Sequence, residues 1–135
     1  MTAITENEQR TVLTHHAPVA IGRFDLLEEV HALRANAQYE ATGHTARTLI
    51  KGSEFRVTLV VLRQGARMKE HQLSEFESIQ TLLGSIRVDV AGAATEHGAA
   101  ELIVLEPGVA RDIVALRDCA FLVSIPWARQ GSGSG

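Results

Sequence analysis

The stretch Gly65-Ala-Arg-Met-Lys-Glu-His71-Gln-Leu73-Ser-Glu-Phe-Glu77-Ser-Ile-Gln-Thr-Leu-Leu-Gly84 decides how this chain is read. Glycines bracket it, and between them lie two strand-length segments, Arg67 to Gln72 and Glu77 to Leu83, joined by a short turn. Two chemistry-bearing residues, His71 and Glu77, fall at the end of the first segment and the start of the second.

Outward from this stretch the same period of two continues. From Thr45 onward β-branched residues dominate in runs broken by Gly, Pro or charged clusters. Further strands are predicted over Ala46 to Ile50, Phe55 to Leu62, Ser85 to Val90, Ala94 to Glu96, Leu102 to Leu105, Arg111 to Ala115 and Ala120 to Trp127. So many short strands do not suit alternating strand and helix units, and they suit a closed barrel or jelly roll. The alternation in Phe55-Arg-Val57-Thr-Leu59-Val-Val61 and Ile86-Arg-Val88-Asp-Val90 puts apolar side chains on one face and polar ones on the other.

Upstream, residues 1–24 read as a polar arm with a short apolar segment, Val19 to Ile21, suited to a sheet edge. Asp25 is placed to cap a helix in which Leu26, Val30, Leu33 and Ala37 recur at helical spacing, with Glu28 and Glu29 in the first turn and Gly43 ending the segment that follows. At the other end Gly131-Ser-Gly-Ser-Gly135 reads as an appended linker, consistent with an engineered chain. The expected organisation is therefore an arm (1–24), one barrel domain with a leading helix (25–130) and a linker (131–135).

From Thr45 to Trp127 the chain resembles small single-domain cupins of the RmlC-like superfamily. The marks of the first cupin motif coincide with Gly65, His71, Glu77 and Gly84, while Leu73 occupies the place of its second histidine. The second motif is degenerate: Glu106-Pro-Gly-Val-Ala-Arg111-Asp-Ile113 carries Arg111 where that motif has its histidine, and Ala100 and Ala115 replace its opening Gly and closing Asn. The resemblance implies an all-β, cupin-type antiparallel barrel with an N-terminal helix-containing segment, and a homodimer, with the arm and first strand as the contact.

In that family the motif histidines and glutamate hold a divalent transition metal. Position by position, this chain retains His71 and Glu77 and has Leu73 and Arg111 in the other two places. A catalytic divalent site typically uses three protein ligands plus an open position. A guanidinium ~5 Å from a divalent ion, at an effective dielectric of ~20, repels it by roughly 6 to 7 kcal/mol. The favoured expectation is thus no metal or other cofactor. His71, Glu77 and Arg111 are then catalytic, with proton transfer through His71 and Glu77 and an anionic or developing oxyanion group on Arg111. Arg111, Leu73 and Thr81 are the expected substrate-binding residues. Such a set suits isomerisation, elimination or aldol-type cleavage of a small molecule. Two alternatives stand beside it: a metal-dependent, dioxygenase-like cupin with a rearranged site that holds its ion through His71, Glu77 and a further histidine, and a non-catalytic binding or vestigial domain in which the three residues form only a buried ion network.

Bulk properties narrow the classes further. The 135 residues fit one domain; 45% are hydrophobic and 21% charged, with a net charge of -3. No basic cluster supports nucleic-acid binding. The lone Cys119, in an apolar setting, reads as a core residue, and neither a signal peptide nor a membrane-length apolar run is seen. These features predict a cytoplasmic protein. His15, His16, His31, His44 and His97 read as solvated side chains, and no nucleophile triad, phosphate loop or dinucleotide fingerprint appears.

Overall fold

The computed structural model describes residues 21–126, with the side chains of Glu70 and His71 excepted. Residues 1–20, with His15, His16 and most of the Val19 to Ile21 segment, lie outside the described residues, as do residues 127–135 with Trp127 and the Gly-Ser linker.

The leading helical segment is two helices, α1 (Leu26–Arg34) and α2 (Ala37–Thr42). Asp25 caps α1 as its spacing predicts, its carboxylate accepting from the Glu28 amide at 3.1 Å. The break arises at Asn36, whose side chain accepts from the Tyr39 amide at 2.8 Å and starts a second helix, while its amide donates to Thr45 Oγ1 at 3.3 Å. Gly43 then ends α2 in the left-handed conformation, at φ 75°.

Nine strands follow among the described residues: β1 (His44–Lys51), β2 (Phe55–Leu62), β3 (Arg67–Gln72), β4 (Glu77–Leu83), β5 (Ser85–Val90), β6 (Ala93–Gly98), β7 (Leu102–Leu105), β8 (Ala110–Ala115) and β9 (Cys119–Pro126). They form two antiparallel sheets, one ordered β1-β2-β9-β4-β7 and the other β3-β8-β5-β6. The expected closed, all-β cupin-type barrel or jelly roll is corrected by this topology. Barrel closure needs one hydrogen-bonded ladder running round the whole sheet. Here β1 and β7 end one sheet, β3 and β6 end the other, and among the described residues no strand pairs across. With two helices packed on one sheet, the fold is mixed α and β.

Side-chain packing joins the layers. Between the sheets Val60, Leu62, Ile79, Phe121 and Val123 from the first meet Ile86, Val88, Ile113 and Ala115 from the second, with the Cys119 thiol among them. On the outer face of the first sheet Val30, Leu33 and Tyr39 of the helices pack against Leu49, Leu59, Val61 and Ala120. Burial of each large aliphatic side chain here contributes about 1.5–3 kcal/mol. This helical cover explains why β2 is buried on both faces from Leu59 to Leu62. It also sets the sense of the β2 alternation. Leu59 and Val61 face the helices, so Arg56 and Thr58 share the inward face with Val60.

Candidate functional site

That inward face lines a cleft of about 240 Å³ between the sheets. From the first sheet come His44 and Ala46 of β1, Arg56, Thr58 and Val60 of β2, Val123 and Ile125 of β9, and Glu77 of β4. Met68 and Lys69 of β3, the following Leu73, and Arg111 of β8 close the other side. The register aligns the polar entries in a row: Arg56 pairs with Ile125, and the pairing of Ser78 with Ser124 sets Glu77 on the far side of Ile125. At about 4.8 Å per strand, the backbones of Arg56 and Glu77 are roughly 10 Å apart.

Glu77 and Arg111 form the centre of the site. They belong to different sheets, and their side chains meet in a bidentate ion pair, Arg111 Nη2 donating to Glu77 Oε2 at 2.6 Å and Arg111 Nε to Oε1 at 3.1 Å. Both are buried, at 4% and 3% exposure. This fork-on-carboxylate geometry is the strongest ordinary form of ion pair, and it fixes both planes. One nitrogen is left over: Arg111 Nη1 is buried and has no hydrogen-bond partner.

The sequence-derived candidates converge in part. Glu77, Arg111 and Leu73 all line the cleft, with Leu73 half-buried and its carbonyl accepting from the Gly108 amide at 2.7 Å. His71 is the backbone register partner of Arg111, next to an irregularity in the β3–β8 ladder. Thr81 is 1% exposed, farther along β4 and outside the cleft lining. Four polar lining residues escaped the sequence reading: His44, Arg56, Thr58 and Lys69. His44 read as a solvated side chain ahead of the first predicted strand, yet it begins β1 and lines the cleft. Arg56 and Thr58 did carry a signal, the polar half of the β2 alternation, but nothing in sequence says that this half turns inward. His97 lies elsewhere, bonded through Nε2 to Thr95 at 2.8 Å and through Nδ1 to Glu101 at 3.2 Å on the β6 side.

The described residues do not fit a metal centre. The Arg111 guanidinium seated on Glu77 repels a cation there, and the Leu73 side chain offers no donor. Among the described residues no group of three or more His, Cys, Asp or Glu is placed to hold an ion. No described helix is long and apolar enough to cross a membrane.

No family model matches this chain, and no curated protein matches it by sequence. Solved structures do match. A cupin superfamily protein from Desulfitobacterium hafniense is 9% identical, with a TM-score of 0.61 over 63% of this chain and 78% of that one. A conserved protein of unknown function from Streptococcus pyogenes is 19% identical, with a TM-score of 0.66 over 87% of this chain and 93% of that one. The polyketide cyclase RemF from Streptomyces resistomycificus is 25% identical, with a TM-score of 0.58 over 64% of this chain and 67% of that one. The chain therefore has a cupin-superfamily fold, in which the two sheets remain open.

Proposed function

We propose that the cleft is a metal-independent acid/base site acting on a small organic molecule, with Glu77 as proton acceptor and Arg111 as the group that binds developing negative charge. The observation that carries this reading is the buried bidentate Glu77–Arg111 pair inside a ligand-sized cleft. An ionised carboxylate has about four lone-pair sites, and the guanidinium takes one on each oxygen, so Glu77 retains basic capacity. A C–H proton taken by Glu77 leaves an enolate-type anion, whose oxygen accepts from the free N–H groups of Arg111. Return of the proton to the same carbon exchanges it, return to a neighbouring carbon isomerises the substrate, and loss of a leaving group completes an elimination. His71, opposite Arg111 in the ladder, is assigned the second proton-carrying role. The small-molecule chemistry of RemF, a polyketide cyclase, supports a catalytic rather than purely structural use of the fold.

The test uses nitrobenzisoxazole, a compact C–H acid whose deprotonation breaks its N–O bond and releases a coloured cyanophenolate. The full chain is expected to turn it over, to lose roughly a hundredfold or more in rate on Glu77→Gln, and to be unaffected by exhaustive chelation. Equal rates in the parent and Glu77→Gln proteins, or activity that chelation removes and a divalent ion restores, would overturn the proposal.

A further inference from the structure

The Glu77–Arg111 pair uses only one edge of the guanidinium. Nε and Nη2 donate to the carboxylate, while Nη1 is buried and unpartnered. The unused edge, Nη1 with the second N–H of Nη2, is itself a pair of parallel donors with the spacing of a carboxylate. A buried donor of this kind is costly unless something completes it.

The surroundings say what completes it. Beside its polar groups, which include Thr58 and His44, the cleft carries Val60, Val123 and Ile125 on one side and Met68 and Leu73 on the other, an apolar strip that water hydrates poorly. Lys69, solvent-exposed, and Arg56 line the same cleft and add positive charge to it in a chain whose net charge is -3. The Glu77 carboxylate beside the free edge repels a second negative charge, which disfavours phosphate with its roughly -1.5 to -2 charge.

We infer that the cleft selects compact organic monocarboxylates, the carboxylate bridging the free edge of Arg111 and an apolar body lying on the strip. This rests on the reading of the cleft as a substrate site and names the class of its ligand. In that arrangement Arg111 is shared between two carboxylates, one from the protein and one from the ligand, and Glu77 holds the guanidinium plane that the ligand meets.

Calorimetric titration of the full chain with benzoate, its neutral amide benzamide, and inorganic phosphate tests this directly. Benzoate is expected to bind roughly tenfold or more tighter than benzamide, the ratio that hydrogen bonds between charged groups support, and tighter than phosphate. Lys69→Met is expected to weaken benzoate and flatten its salt dependence while leaving benzamide unchanged. Because Arg111→Met alone strands a buried carboxylate, the comparison uses Glu77→Leu together with Arg111→Met, which is expected to preserve the fold and to erase the preference for benzoate. Equal affinity for benzoate and benzamide, tighter binding of phosphate, or a preference that survives the double substitution would overturn the inference. Glu77→Gln separates it from the catalytic proposal: that variant is expected to keep the benzoate preference while losing nitrobenzisoxazole turnover. Turnover without carboxylate preference removes only the ligand class, and preference without turnover removes only the catalysis.

Discussion

At Arg111 and Glu77 two charges that would each be expensive to bury alone are held by one another. Removing one partner strands the other, so Glu77→Ala is expected to destabilise the protein by about 3–5 kcal/mol, whereas Glu77→Leu with Arg111→Met is expected to be near neutral. Chemical denaturation of the three proteins checks this; a small loss in Glu77→Ala would show that the pair is not structurally integrated. Both residues were identifiable from sequence, because each stands at a marked position of a recognisable pattern. That they share an ion network was among the alternatives the sequence offered; the bidentate geometry was not legible, since 34 positions separate them along the chain and only the packing of two sheets brings them together. Cys119 behaves as its apolar neighbours suggest: it is fully buried, and burial pushes its thiol up to about 11, so it is an inert core residue rather than a nucleophile.

Among the elements, the strand runs were legible because β-branched residues and turn glycines mark them locally, and β2, β3, β4, β5 and β7 fall where the alternation places them. The helix was legible in kind but not in its break, which depends on the Asn36 side chain finding both an amide in α2 and a hydroxyl in β1. The inward face of β2 was illegible for a different reason. Alternation shows which residues share a face, but only the helices covering the other side show which face is inside. Gly84, the last residue of the opening stretch, now has a physical role. It adopts φ 74° where the chain passes from β4 to β5, and a Cβ there would collide with the Asp118 carbonyl and the Cys119 backbone. Ala100, which stands where the family pattern has glycine, sits in the same left-handed region at φ 70°. The expected outcomes are opposite. Gly84→Ala should lower stability by about 2 kcal/mol or more, and Ala100→Gly should raise it by roughly 1 kcal/mol through relief of left-handed strain. Denaturation midpoints decide the pair, and a tolerated Gly84→Ala would contradict the close approach of β4 and β9.

For the whole molecule, two open sheets sandwich an apolar core, helices cover one outer face, and the cleft occupies the end of the sandwich where Glu77 and Arg111 reach across. The expectation of a closed barrel failed because strand count and alternation constrain which residues pair locally, while closure depends on whether the outermost strands find partners. In this cleft an ion pair stands where a metal would otherwise be held, so the molecule is expected to have no metal to lose. The most direct test titrates manganese, iron, nickel and zinc ions in turn into the chelator-stripped full chain, with melting temperature followed in parallel, and repeats it on Glu77→Gln. A ligand that binds only the folded state raises the melting temperature. No one-to-one binding is expected, and no rise in melting temperature that Glu77→Gln removes; a tight, stabilising, one-to-one site lost in Glu77→Gln would contradict an ion-pair-organised cleft.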